Sequence, residues 1–375
     1  MNENLNELMR EATRLTRGGK LGEATAVLQR WLSSGKPSTA VDAANAVAPA
    51  GDVLDGCVFE VEQPHEPLRT QEVPTSRRAP TSQGSKGEFL AGTHTHASLT
   101  RQYKLYVPPA AERGEALPLI VMLHGCTQNP DDFAVGTGMN ELAAQRGFLV
   151  LYPAQSQDAN PSRCWNWFKH NHQQRDRGEP ALIASLTQAV MAEHRIDPDR
   201  VYVAGLSAGA AMAAIMGATH PELYAAVGVH SGLAPGVANN VGEALSAMNG
   251  ASAITKSPRQ GLNGRPSLRI ATIVFHGDQD STVNPLNGVQ VMEARLHPNQ
   301  ESQQPPELMQ GEQGRRFTRK TYRDASGLVM GEHWLIHGAG HAWSGGNAAG
   351  SYTDVLGPDA SAEMLRFFLE HPHAH

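Results

Sequence analysis

Residues 200–212 restrict the fold of this chain more than any other stretch. They read Arg-Val-Tyr-Val-Ala-Gly-Leu-Ser-Ala-Gly-Ala-Ala-Met. A β-branched, apolar run ends in Gly-x-Ser-x-Gly and passes without a break into Ala-rich, helix-forming sequence. That order predicts a strand, a sharp turn with Ser207 at its apex, and a helix. Gly205 and Gly209 carry no side chain to clash where the backbone turns tightly and the helix packs back on the strand. The serine hydroxyl then stands clear of the sheet at the positive end of a helix, placed to attack a carbonyl carbon.

A serine is a weak nucleophile without a base, and the base needs a carboxylate to orient it. A strand–Ser–helix turn of this kind carries its partners in the order serine, acid, histidine. Residues 270–275 (Ile-Ala-Thr-Ile-Val-Phe) read as a buried strand, followed at once by His276-Gly277-Asp278-Gln279-Asp280-Ser281-Thr282-Val283. Residues 332–336 read as another strand, running into the glycine-loosened His337-Gly338-Ala339-Gly340-His341-Ala342-Trp343. Each candidate thus follows a strand end, where a parallel sheet gathers its chemistry. Asp280 is the expected acid and Asp278 the alternative, which would otherwise serve as a loop carboxylate or Asx-turn former. His341 is the expected base, because three small residues before it free the loop to bring the ring over the serine. His333 and His337 are the alternatives.

The tetrahedral intermediate of such a reaction carries negative charge that fixed N–H donors must meet. One donor is expected from the amide of Ala208. The other is expected from the loop His124-Gly125-Cys126-Thr127-Gln128-Asn129, which follows the strand 117–123. The amide of Cys126 is the first choice and that of Thr127 the second.

Five segments together resemble one known family. These are His-Gly-Cys-Thr-Gln-Asn (124–129), Cys-Trp-Asn-Trp-Phe (164–168), Gly-Leu-Ser-Ala-Gly-Ala-Ala-Met (205–212), His-Gly-Asp-Gln-Asp-Ser-Thr-Val-Asn-Pro (276–285) and Gly-Ala-Gly-His-Ala-Trp-Ser-Gly-Gly (338–346). In this order, over about residues 96–370, they resemble the polyhydroxybutyrate-depolymerase-type esterases. That family of α/β-hydrolases borders on feruloyl and acetylxylan esterases. The resemblance implies Ser207 as nucleophile, Asp280 as acid and His341 as base, with Cys126 and Ala208 lining the oxyanion hole. It also suggests a Cys126–Cys164 bridge pinning the oxyanion loop to the Trp-rich loop, as in secreted relatives. In a reducing cytosol both would be thiols, and three cysteines alone leave the pairing open.

Composition fits an enzyme of this kind. With 375 residues, 40% of them hydrophobic, the chain can bury a large core. A net charge of -6 argues against a nucleic-acid or anionic-membrane partner. No apolar run approaches the roughly 20 residues that span a bilayer. Neither C-x-x-C nor H-E-x-x-H spacing occurs, so neither metal nor cofactor is expected. The first residues show no basic, then apolar, leader, which gives cytoplasmic location as the expectation.

The organisation expected is a helical hairpin over residues 1–33, a linker with one short strand over 34–95, and an α/β-hydrolase catalytic domain over 96–375. Within that domain a mainly parallel sheet carries helices on both faces. The hairpin repeats an apolar stripe at helical spacing, Leu5, Leu8, Met9, Ala12 and Leu15, then Leu21, Ala24, Val27, Leu28 and Trp31. It is too small to fold alone, so it docks on the catalytic domain, pairs with a second copy in a homodimer, or attaches the enzyme to a polymer granule. Residues 235–266 and 298–316 read as long insertions with loop composition.

Tryptophan placement bears on substrate. Trp165, Trp167 and Trp343 are expected as walls of the acyl or alcohol pocket, with Asn166 hydrogen-bonding a substrate carbonyl. Trp334, inside a strand, is expected to pack. The resemblance implies a serine ester hydrolase acting on hydroxyalkanoate polyester or oligoester, with an intracellular, granule-associated poly(3-hydroxybutyrate) depolymerase as its sharpest form. Feruloyl or acetyl-sugar esterase activity is the alternative, and an inactive granule-associated protein of the same fold is a third.

Overall fold

A computed structural model describes residues 87–251, 270–295 and 305–373. The expected hairpin over 1–33 and nearly all of the expected linker lie outside the described residues. Ten strands form one sheet: β1 (Glu88–His96), β2 (Leu99–Val107), β3 (Leu117–Leu123), β4 (Leu149–Pro153), β5 (Ile196–Leu206), β6 (Ala226–His230), β7 (Ala271–Gly277), β8 (Glu307–Gln310), β9 (Arg316–Arg323) and β10 (Val329–Ile336). Their order is β1-β2-β4-β3-β5-β6-β7-β10-β9-β8. The six strands from β4 to β10 run parallel, and an antiparallel pair flanks them at each edge.

All seven residues of β3 are buried. Because side chains alternate across a strand, Leu119, Val121 and Leu123 enter one core while Ile120 and Met122 enter the other. A sheet apolar on both faces must be covered on both. Helices α1 (Pro130–Thr137) and α2 (Met139–Arg146) supply cover to the Ile120 side. Helices α3 (Gly178–Glu193), α4 (Ala208–Thr219), α5 (Val241–Met248) and α6 (Leu286–Arg295) supply it to the Leu119 side, and α7 (Ala360–Leu369) completes the Ile120 side. α4 is almost wholly buried, as its run of Ala, Met and Ile requires. Caps lie where the sequence supplies them. Asn129 accepts from the Asp132 amide ahead of Pro130, and Asp359 accepts from the Ala362 amide.

The sheet starts ahead of residue 96, and both expected insertions contain regular elements. The sheet begins at Glu88, inside the stretch assigned to the linker, because β1 pairs over nine residues with β2. None of its side chains is fully buried, so its own pattern is weak and its partner defines it. The insertion at 298–316 contains β8, which pairs with β9. The insertion at 235–266 contains α5, capped by Asn240 and packed through Ala244 and Ala247. The parallel strands end along one rim, and the 124–129 loop, Ser207, Asp278 to Asp280 and His337 to His341 all leave from it.

Candidate active site

Ser207 sits at φ 57, ψ -119, a strained conformation for a residue with a side chain. The surroundings hold it there. Its amide donates to the His230 carbonyl at 2.9 Å. A Cβ on Gly205 would lie 2.5 Å from the Gly209 carbonyl carbon and 2.6 Å from the Leu123 oxygen, and one on Gly209 would overlap that same oxygen. Glycine at both positions lets strand, turn and helix close on one another. The Ala208 amide opens α4, where the first N–H groups have no partner within the helix.

The 124–129 loop lies directly over this turn, since a Cβ on Gly125 would stand 3.6 Å from that of Ser207. The Gly125 amide donates to Gln128 Oε1 at 2.9 Å, and Gln128 Nε2 donates to Asp132 Oδ2 and to the Ser351 carbonyl, each at 3.1 Å. The Thr127 amide, the second choice for the oxyanion, donates to the Ser162 carbonyl at 2.7 Å. Cys126 and Cys164 are joined as a disulfide, which ties this loop to the Cys-Trp-Asn-Trp segment. His124 is buried. Its Nδ1 donates to the Gly125 carbonyl at 2.7 Å and its Nε2 accepts from the Gln155 amide at 3.1 Å. Burial pushes its pKa down to about 4, so the ring is neutral.

The two candidate acids and the three candidate bases sort into distinct sets. Asp280 Oδ2 accepts from His341 Nδ1 at 2.7 Å, and Oδ1 accepts from the Thr282 and Val283 amides at 2.9 and 2.8 Å. His276 Nε2 lies 3.4 Å from the same Oδ2 and donates to the Val283 carbonyl at 2.8 Å. Burial favours the neutral acid. The bonds from His276 and His341, the imidazole charge and the Val283 amide outweigh it and hold Asp280 well below the usual carboxylate range. Asp278 instead pairs with His337 at 3.0 Å and accepts from the Gly338 amide at 2.7 Å. His333 is buried, and that burial pushes its pKa down to about 4.

The loop carrying His341 can approach the acid because Gly277 has no side chain. A Cβ there would overlap the Ala339 carbonyl and lie 2.6 Å from that of Gly340. With Nδ1 held by Asp280, Nε2 is the nitrogen left for a serine. Among the described residues no hydrogen bond joins it to Ser207.

The expected pocket walls are corrected. Trp165, Trp167, Trp343 and Asn166 are all buried. Trp343 stacks on His230 at 5.1 Å, meets Phe133 edge-on at 5.5 Å and donates through Nε1 to Ser361 at 3.1 Å. Trp167 packs edge-on against Phe168, and Trp165 lies beside His124. Asn166 donates from its backbone and side-chain nitrogens to Glu179, both at 2.7 Å. Large rings gain most from complete burial, and a buried carboxylate demands such donors. Trp334 packs, as expected, against Phe317 and Phe275. His276, His230 and Gln128 carry roles no spacing rule points to, though His276 and Gln128 lie inside the quoted motifs. Among the described residues no cluster of His, Cys, Asp or Glu suits a metal ion.

The sequence model for "Esterase PHB depolymerase" matches residues 101–301. The chain belongs to that family. Poly(3-hydroxyalkanoate) depolymerase C of Paucimonas lemoignei is 32% identical over 233 residues, covering 60% of this chain and 54% of that protein. Acetylxylan esterase A of Talaromyces purpureogenus is 30% identical over 217 residues, covering 53% of each. The chain therefore spans about half the length of these relatives. Among solved structures, an acetyl xylan esterase from Aspergillus awamori superposes with a TM-score of 0.59 at 19% identity, over 75% of this chain and 99% of that one. That likeness concerns the fold, which is the α/β-hydrolase fold.

Proposed function

We propose that this chain is a serine carboxyl ester hydrolase acting on short-chain hydroxyalkanoate polyester or oligoester through an acyl-enzyme. The observation that carries the reading is the 2.7 Å bond between buried Asp280 and His341, on the rim that also bears the strained Ser207. In this reading His341 Nε2 takes the Ser207 proton as Oγ attacks the ester carbonyl. Asp280 holds the ring in the tautomer that leaves Nε2 basic and steadies the imidazolium that forms. The oxyanion lies against the amides of Cys126 and Ala208. Return of the proton to the departing alcohol leaves the acyl-enzyme, and water repeats the steps to free the hydroxy acid.

Depolymerases among the relatives support polyester as substrate, and acetylxylan esterases among them support an acetyl- or feruloyl-sugar ester as the second reading. Wild type and Ser207→Ala assayed side by side on amorphous poly(3-hydroxybutyrate), acetylated xylan and feruloyl esters separate the two. Hydroxybutyrate release lost in Ser207→Ala is the expected result. Turnover confined to the sugar esters selects the second reading, and failure of a fluorophosphonate to label Ser207 selects an inactive protein.

Attachment to a polymer granule and pairing of two copies both draw support from the apolar stripe of residues 5–31. On location, a disulfide between Cys126 and Cys164 favours an oxidising compartment over the cytoplasm expected from the first residues. Trapping free thiols in whole cells before lysis decides between them.

A further inference from the structure

We infer that His230 is a positioning residue that couples the Ser207 turn to the loop carrying His341, an inference that rests on the catalytic reading above. His230 ends β6 and is fully buried. Its carbonyl accepts the Ser207 amide at 2.9 Å. Its ring Nε2 accepts the amide of Ser344, three residues beyond His341, at 3.0 Å. One residue therefore holds the nucleophile by its main chain and the base loop by its side chain.

Two aromatic rings stack on the His230 ring. Phe275 stacks at 5.8 Å with 12° between the planes, and Trp343 at 5.1 Å with 25°. Its protonation state follows from the bonds it makes. A backbone N–H only donates, so Nε2 must present a lone pair, and the ring is neutral with its proton on Nδ1, facing Ser231 Oγ at 3.3 Å. Burial enforces this and pushes the pKa down to about 3; the facing His276 and His341 act in the same direction, and Asp280 opposes them.

The base loop is held on both sides of His341. On the near side the Gln279 amide holds the Ala339 carbonyl at 2.9 Å. On the far side the His230–Ser344 bond stands beside those from the Trp343 amide to the Tyr352 carbonyl and from Ser344 Oγ to the Pro358 carbonyl, both at 2.7 Å, where β11 (Trp343–Ser344) pairs with β12 (Thr353–Asp354). Loss of the His230 acceptor leaves the Asp280 bond and the other far-side bonds in place but frees the Ser344 amide, so the ring can swing about Asp280. Nε2 then drifts from the serine, and misplacement by about 1 Å at a reacting centre costs on the order of 100-fold in rate.

The test compares side chains that differ in the acceptor. His230→Phe keeps ring, volume and stacking but loses the acceptor. His230→Gln places an oxygen near the position of Nε2. The measurements are kcat and KM on p-nitrophenyl butyrate, the rate of fluorophosphonate labelling, and the melting temperature. In a folded His230→Phe, kcat and labelling are expected to fall about 30- to 100-fold with KM within about threefold, and His230→Gln to recover to within about fivefold of wild type. Wild-type kcat in folded His230→Phe overturns the inference, and so does an equal fall in both variants, which would make packing the whole role. Should the Phe variant not fold, His230→Asn serves, because its shorter side chain cannot reach Ser344; Asn slow and Gln fast is expected, and equal rates overturn. Ser207→Ala run alongside keeps the two claims apart. Retained turnover there removes the catalytic reading itself, whereas an inert Ser207→Ala beside a wild-type His230→Phe removes only the coupling.

Discussion

Two carboxylate–imidazole pairs leave the same rim of the sheet, built from Asp278 and Asp280 on one loop and His337 and His341 on the next. Asp280–His341 is bonded at 2.7 Å and Asp278–His337 at 3.0 Å. Their chemistry is the same and their surroundings are not. The Asp280 side chain is wholly buried and also takes two backbone amides and the approach of His276. Asp278 and His337 are each roughly a third exposed, and His337 spends its other nitrogen on Thr318 at 2.8 Å. Residue types and spacing offer two pairs; they differ in burial and in whether the second ring nitrogen is engaged. An exposed pair with both ring nitrogens engaged can brace a loop but has no nitrogen left to move a proton.

The largest expected effect breaks the comparison directly. Asp280→Asn removes the charge that steadies the imidazolium and offers an amide N–H where His341 needs an acceptor, so kcat should fall about 10⁴-fold. Asp278→Asn should stay within about threefold on the same soluble butyrate ester, because its partner takes no part in the reaction. Comparable losses in the two variants would abolish the distinction.

Next comes the loop that carries the buried pair. Gly277→Ala drives a methyl into the Ala339 and Gly340 carbonyls and should lower kcat about 100-fold. Gly340→Ala, immediately before His341, meets nothing within 4 Å and should leave the rate near wild type. A tolerated Gly277→Ala would show that the base loop does not depend on that close approach.

Three buried histidines should also show in stability. His124, His230 and His333 are pushed from 6.5 down to about 4, about 3 and about 4, in each case first by burial. Below pH 6.5 the unfolded chain binds protons that the folded chain refuses, so stability is lost as pH falls towards 4. Each ring contributes up to about 1.4 kcal/mol per pH unit. The urea midpoint should therefore drop steadily from pH 7 to pH 5; an unchanged midpoint would mean these rings are not buried in the neutral form. The smallest effect belongs to the exposed pair. Asp278 is held below its usual range, with burial opposing and the His337 and Gly338 bonds prevailing. Water screens such a pair, so Asp278→Asn should shift stability by only about 0.5 kcal/mol in a urea titration.

Much of this was legible beforehand, because it is local. β3 falls on the residues expected of it, and Ser207 takes the strained turn that Gly-x-Ser-x-Gly implies. What escaped depends on partners far along the chain. β1 has too little burial of its own to declare itself and exists through its register with β2. Trp343 and Asn166 lie inside the quoted motifs, yet each is buried on a partner outside them, Ser361 in one case and Glu179 in the other. Gln128 and His230 act through bonds to Ser351 and Ser344, across separations of more than one hundred residues.

From the order of its residues alone, this chain was bound to a strand–serine–helix turn, to an acid and a histidine following later strands, and to a sheet covered on both faces. Hydrophobic period and backbone sterics act over a few residues, so they are written in the string itself. Which aspartate meets which histidine and which rings sink into the core were decided by the packed sheet. Those outcomes turn on burial and distance between segments up to two hundred residues apart, and only the closed fold defines either quantity.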